Sequence, residues 1–115
     1  MMTDRIVFEI FGDYLKADTA LEVVQTKHGY AVMLWDAAAQ DWSDVVCCPT
    51  PESLFAKLVE SATAYDEYLI LRKRHLEVLD AEGEKEVERI RQHYLKLKEV
   101  MVWAIYIRKT SKRIR

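Results

Sequence analysis

Cys47-Cys48-Pro49-Thr50-Pro51-Glu52-Ser53-Leu54 is the stretch on which the fold turns. Two prolines one residue apart end any strand that precedes them. Thr50 can accept a hydrogen bond as a helix N-cap, with Pro51 at the first helical position, where a missing N–H does no harm. Upstream the apolar residues alternate as in strands; downstream they recur at three and four as in helices. The sequence predicts an α+β domain.

Working back from the prolines, residues 42–48 form one strand-like run, and the short loop Ala37 to Asp41 separates it from Tyr30-Ala31-Val32-Met33-Leu34-Trp35-Asp36. Residues 21–26 precede that run across Lys27-His28-Gly29, where glycine supplies the positive φ that a hairpin asks for. Residues 5–11 alternate too, with Ile6, Phe8 and Ile10 on one face, and Gly12-Asp13 reads as a turn. These runs predict an antiparallel β-meander of three to four strands over 1–48. Pairing across the second loop sets Leu34 near Asp44, Trp35 near Ser43 and Val45, and Cys48 opposite Tyr30. Tyr30-Val32-Leu34 and Ala31-Met33-Trp35 make both faces of the middle strand apolar. A meander with one solvated face should alternate cleanly, so the second face is expected to be covered as well.

Working forward, Leu54, Leu58, Ala62, Tyr65, Leu69, Leu76 and Leu79 form one helical stripe. It predicts a first helix over 50–82, with Gly83 as the residue just past its end. Val87, Ile90, Tyr94, Leu97, Met101 and Ala104 form a second stripe, predicting a helix over 84–113 with a basic tail. Residues 100–107, Val-Met-Val-Trp-Ala-Ile-Tyr-Ile, are apolar all round and rich in strand formers. No glycine or proline divides them from the helix before, so helix is the favoured reading and strand the other. The expected product is a long two-helix hairpin packed on the sheet, all within one domain, 1–115. Two helices of roughly 28 residues would each be about 42 Å long, longer than a sheet of about 20 Å strands covers. At least one helix end is expected to project and to need a partner.

Composition narrows the function classes. The chain has 50% hydrophobic and 31% charged residues, and Gly plus Pro number only five, which excludes low-complexity and collagen-like chains. The longest apolar run is eight residues, far short of a membrane span. Cys47 and Cys48 are neighbours, and neighbours in a strand face opposite ways. They read as reduced thiols of a cytoplasmic protein, since the start of the chain shows no small-residue cleavage site. The net charge of −2 hides an asymmetry: residues 1–66 hold 4 basic against 11 acidic side chains, and 67–115 hold 13 against 8.

No constellation marks a reaction. Cys47 or Cys48 near His28 lacks an orienting acid and an oxyanion device, and a free cysteine usually packs as a small hydrophobe. Asp36, Asp41 and Asp44 gather at one loop without calcium-site spacing. His75 and His93 have no ligand at i+3 or i+4. Gly12, Gly29 and Gly83 stand alone, so no phosphate loop exists. Neither catalytic residues, metal ligands nor a cofactor are expected.

Interaction residues remain. Tryptophan and tyrosine are favoured where proteins bind, and Trp35, Trp42, Trp103, Tyr106 and Ile107 are the candidates. A basic cluster at Arg72-Lys73-Arg74 precedes the tail, where Arg108, Lys109, Lys112, Arg113 and Arg115 could meet phosphates with salt-dependent affinity. A net charge of −7 over the first 66 residues is modest for a mimic of a phosphate backbone.

Tyr30 to Asp36, with Asp41-Trp42-Ser43-Asp44 and Cys48-Pro49-Thr50-Pro51-Glu52-Ser53-Leu54, resembles small accessory proteins carried by mobile elements of gut-type bacteria. The resemblance covers about 25 residues and transfers no functional residue. It implies a class that includes inhibitors of host defence, among them anti-CRISPR proteins, which act by binding. The expected function is that of a non-enzymatic protein–protein interaction module that pairs with itself as a homodimer and with a further protein. Nucleic-acid association through the basic C-terminal half is the alternative.

Overall fold

The computed structural model of the chain describes residues 2–114, with side chains described for 2–109. Its elements are α1 (Asp4–Ala17), β1 (Leu21–Thr26), β2 (Gly29–Asp36), β3 (Asp41–Cys48), α2 (Pro51–Arg74) and α3 (Ala81–Ile114). The three strands pair antiparallel in the order β1-β2-β3, so the α+β meander stands, with three strands.

Residues 5–11 are helix, not strand, which corrects the expectation for the first run. The Thr3 hydroxyl caps α1 by accepting from the Ile6 N–H at 3.3 Å. Ile6, Val7, Ile10, Phe11 and Tyr14 are the buried residues of α1, and their spacing is that of one helical face. The alternation of Ile6, Phe8 and Ile10 overlaps this stripe by coincidence. Gly12 lies inside the helix rather than in a turn, with open space where a Cβ would stand.

The β1–β2 hairpin closes as expected, with Thr26 opposite Gly29. Gly29 has φ +113°, and a Cβ there would sit 2.5 Å from the Cys48 carbonyl oxygen. Between β2 and β3, Leu34 faces Asp44 and Tyr30 faces Cys48, but Trp35 faces Trp42 rather than Ser43. Ser43 is the extra residue of a β-bulge, its hydroxyl donating to the Leu34 carbonyl at 3.3 Å. One added residue changes which side of the sheet each residue takes. Trp42 thereby joins Trp35, Val45 and Cys47 on the outer face, instead of Val46 and Cys48 on the inner one.

Thr50 caps α2 in a reciprocal box with Ser53, and Pro51 opens the helix. Here α2 ends at Arg74, eight residues short of the expected end. His75 takes the left-handed conformation (φ 56°, ψ 42°), its N–H donating to the Arg72 carbonyl and that of Leu76 to the Leu71 carbonyl. That pair of bonds satisfies the last turn and stops the helix without glycine. Gly83 belongs to the first turn of α3. Asp80 caps it, accepting from the Gly83 N–H with its carboxylate at 2.8 Å and from the Glu84 N–H with its carbonyl.

Helices cover only the inner face of the sheet. Leu21, Val32 and Cys48 from the sheet join Ile6, Val7, Phe11, Leu54, Leu58 and Ala62 in the core. Phe11 is its centre, with ring centroids 4.7 Å from Tyr94 and 5.5 Å from Phe55. Along α3 the core side carries Val87, Tyr94, Leu97, Met101 and Ile105. Ile105 replaces the expected Ala104 because a 3.6-residue turn drifts past a strict seven-residue repeat.

The helices α2 and α3 run antiparallel: the Lys98 ammonium lies over the Phe55 ring at 5.2 Å, and Arg74 pairs with Asp80. At this register α3 passes the start of α2 near Trp103. Residues 100–107 are helical, and the remainder of the 34-residue α3 runs on. The molecule measures 58 × 37 × 18 Å with a radius of gyration of 16.6 Å, against about 13 Å for a compact chain of this size. The 34-residue α3 is the cause, since at 1.5 Å per residue it is about 51 Å long.

Candidate interaction surfaces

Three surfaces stand out, and the first is the open face of the sheet. Alternation puts Val24, Ala31, Met33, Trp35, Trp42, Val45 and Cys47 on it. Trp35 is 36% and Val45 58% exposed, so the outer face is uncovered in the single chain, contrary to expectation. Trp35 and Trp42 meet edge to face with centroids 5.0 Å apart. Their packing is cross-strand and depends on the Ser43 bulge.

The projecting end of α3 is the second. Trp103 and Tyr106 are each 59% exposed, with Val100 and Ile107 exposed beside them. The two rings stack with centroids 5.4 Å apart, one helical step of three between them. These four residues lie on the side of α3 opposite Leu97, Met101 and Ile105, so the helix is apolar on two faces here. The five predicted interface residues therefore form two separate patches, Trp35 with Trp42 and Trp103 with Tyr106 and Ile107. Arg108 and Lys109 are exposed at the same end. The side chains of Lys112, Arg113 and Arg115 lie outside the described residues.

A third surface escaped the sequence reading. A cleft of about 660 Å³ opens between the end of α1, the inner face of the sheet and the middle of α2. Leu21, Val32 and Leu34 form its apolar floor, and Tyr14, Tyr65 and Tyr68 its aromatic wall. Asp18, Asp44 and Glu60 give it acidic character, while Lys57, its one lysine, bridges Asp44 at 3.4 Å and Glu60 at 3.7 Å. The Tyr14 hydroxyl donates to Asp18 at 2.8 Å, and burial, reinforced by that bond, pushes its ionisation well above the usual phenol range. The Tyr65 hydroxyl donates to the Ala17 carbonyl. Both hydroxyls are held in place as hydrogen-bond donors. The signal in the sequence was indirect, since Tyr14, Asp18 and Tyr65 come together only if residues 4–17 are read as helix.

The chemical candidates come to little. The Cys47 thiol is exposed and donates weakly to the His28 backbone carbonyl, not to its ring. Burial, and then the neighbouring Cys47, push the Cys48 thiol up. Asp36 accepts from the Ala38 and Ala39 N–H groups, Asp41 from the Trp42 N–H, and Asp44 faces Lys57, so the loop acids serve separate ends. Among the described residues no cluster of three or more metal-ligating side chains occurs, and no helix is long and apolar enough to cross a membrane. No family model, no curated protein and no solved structure matches the chain.

Proposed function

We propose that this protein is a non-enzymatic interaction module that pairs with a second copy of itself through the end of α3. One observation carries the reading: α3 stays helical past the start of α2 and holds Trp103 and Tyr106 in a stacked pair, each 59% exposed. At about 25 cal/mol per Å² of apolar surface, a tryptophan, a tyrosine and two aliphatic side chains left in water forgo on the order of several kcal/mol. That is comparable with the whole stability of a small domain. A second copy about a two-fold axis covers both ends at once.

Light scattering tests this directly. A dimer mass at micromolar concentration is expected, and Trp103→Glu should yield a folded monomer. A wild-type mass near 13.5 kDa at every concentration up to the millimolar range would refute the reading.

The Trp35–Trp42 face is the surface left for a protein partner of another kind, and two free thiols suit a reducing cytoplasm. A role as an accessory or inhibitor protein of a mobile element fits a small binder without chemistry of its own, and rests on the sequence resemblance. The alternative, nucleic-acid association, is favoured by the exposed Arg108 and Lys109 at the helix end. Its test is salt: binding to a duplex must weaken linearly on a log–log plot as salt rises, and removing residues 108–115 must flatten that slope. No binding by the intact chain at low salt disposes of it.

A further inference from the structure

The end of α3 and the cleft complement each other, yet they cannot meet within one chain. The α2 residues that line the cleft, from Lys57 to Tyr68, lie alongside the first half of α3. Trp103 lies beyond that stretch, level with the start of α2, on an unbroken rod. The cleft has an apolar floor, a tyrosine wall and a surplus of carboxylates. From residue 100 onward the sequence carries no acidic residue at all, and the exposed side chains of residues 100–109 are apolar or basic. Val100, Trp103 and Ile107 fall at i, i+3 and i+7, three of the anchor positions with which one amphipathic helix enters another protein's groove, and Tyr106 stacks on Trp103. The cleft volume falls within the range of about 300–1,000 Å³ that encloses a ligand of drug size, room for a stacked pair of aromatic side chains.

We propose that the cleft is the receptor for the α3 end of a second copy. Trp103 and Tyr106 enter between Tyr65, Tyr68 and the Leu34 floor, and Arg108 and Lys109 approach Asp18 and Glu60. The exchange is reciprocal about a two-fold axis, each copy giving one helix end and receiving one. This inference rests on the self-association reading and names the surface that the α3 end meets.

Two variants and their mixture test it. Trp103→Glu spoils the end and leaves the cleft. Ala64→Arg spoils the cleft, because Ala64 lies exposed on α2 at its wall, and arginine both fills the space and repels the basic helix. Each variant alone is expected to dimerise at least tenfold more weakly than the wild type, with unchanged circular dichroism. Mixed in equal amounts they should associate at a concentration where neither does alone, since one intact end then faces one intact cleft. Glu60→Lys, at an exposed helical position, probes the cleft a second way and should loosen the wild-type dimer at least threefold at low salt. A dimeric wild type with no association in the mixture, or a dimer unaffected by Ala64→Arg and Glu60→Lys, overturns the cleft as receptor while self-association stands. A wild type that is monomeric throughout overturns both.

Discussion

Gly29 is the position where a single atom matters most. Its φ of +113° is open to few side chains, and a Cβ would stand 2.5 Å from the Cys48 carbonyl oxygen and 2.6 Å from the Pro49 Cα, both backbone atoms that cannot step aside. Gly29→Ala should therefore cost about 3 kcal/mol through strain and displacement together, read as a lower urea midpoint at unchanged slope. Asp66 acts in the opposite sense. Partial burial, and then the nearby Glu86, raise its carboxyl above the usual range. A raised acid contributes stability that is fully present below its unfolded value and is lost as pH rises through the folded one. Asp66→Asn should then melt higher than the wild type at pH 7, and the difference should vanish once pH falls below the ordinary carboxylate range. A gain that persists in acid would assign it to something other than charge.

Among the elements, the β2–β3 pair holds one inserted residue. Deleting Ser43 restores simple alternation and leaves Trp42 opposite Trp35 on the outer face, because Trp42 then directly precedes the inward-facing Asp44. The expected result is an unaltered Trp42 emission in a variant lacking Trp35 and Trp103, with only the Ser43 hydroxyl bond to the Leu34 carbonyl lost. An emission moved toward the blue would show that the deletion had carried Trp42 to the inner face, against this register. The Pro49-Thr50-Pro51 junction, the 21–36 hairpin and the core side of α3 were legible because proline, glycine and apolar spacing act locally. The bulge was not, since Ser43 is displaced by the demands of two tryptophans across the strand pair. Nor was the stop of α2, where histidine takes a conformation usually left to glycine. Residues 5–11 satisfied two periods at once, and only the cap at Thr3 separates them. The cleft was hidden for the same reason, as it needs α1 to be a helix.

At the scale of the whole molecule, stability and association are coupled. A ligand that binds only the folded state raises the melting temperature with its concentration, and under the proposed self-association that ligand is the protein itself. The melting temperature should climb on raising the protein from one to a hundred micromolar, and Trp103→Glu should melt at one temperature throughout. Amide exchange at residues 103–109 should slow over the same range, whereas exchange at Leu54, Leu58 and Ala62 should slow only as far as global opening does. The stacking of Phe11 between Phe55 and Tyr94 also has a consequence in time. Tyr94 follows Phe55 by 39 residues, and synthesis adds about 5–20 residues each second. For about two to eight seconds a growing chain owns the sheet, α1 and the first turns of α2 but not the residue that closes over Phe11. Neighbouring chains on one messenger pass through that interval together, each offering an open ring and soon afterwards a free helix end, so the moment of synthesis is when the wrong pairing is easiest to make.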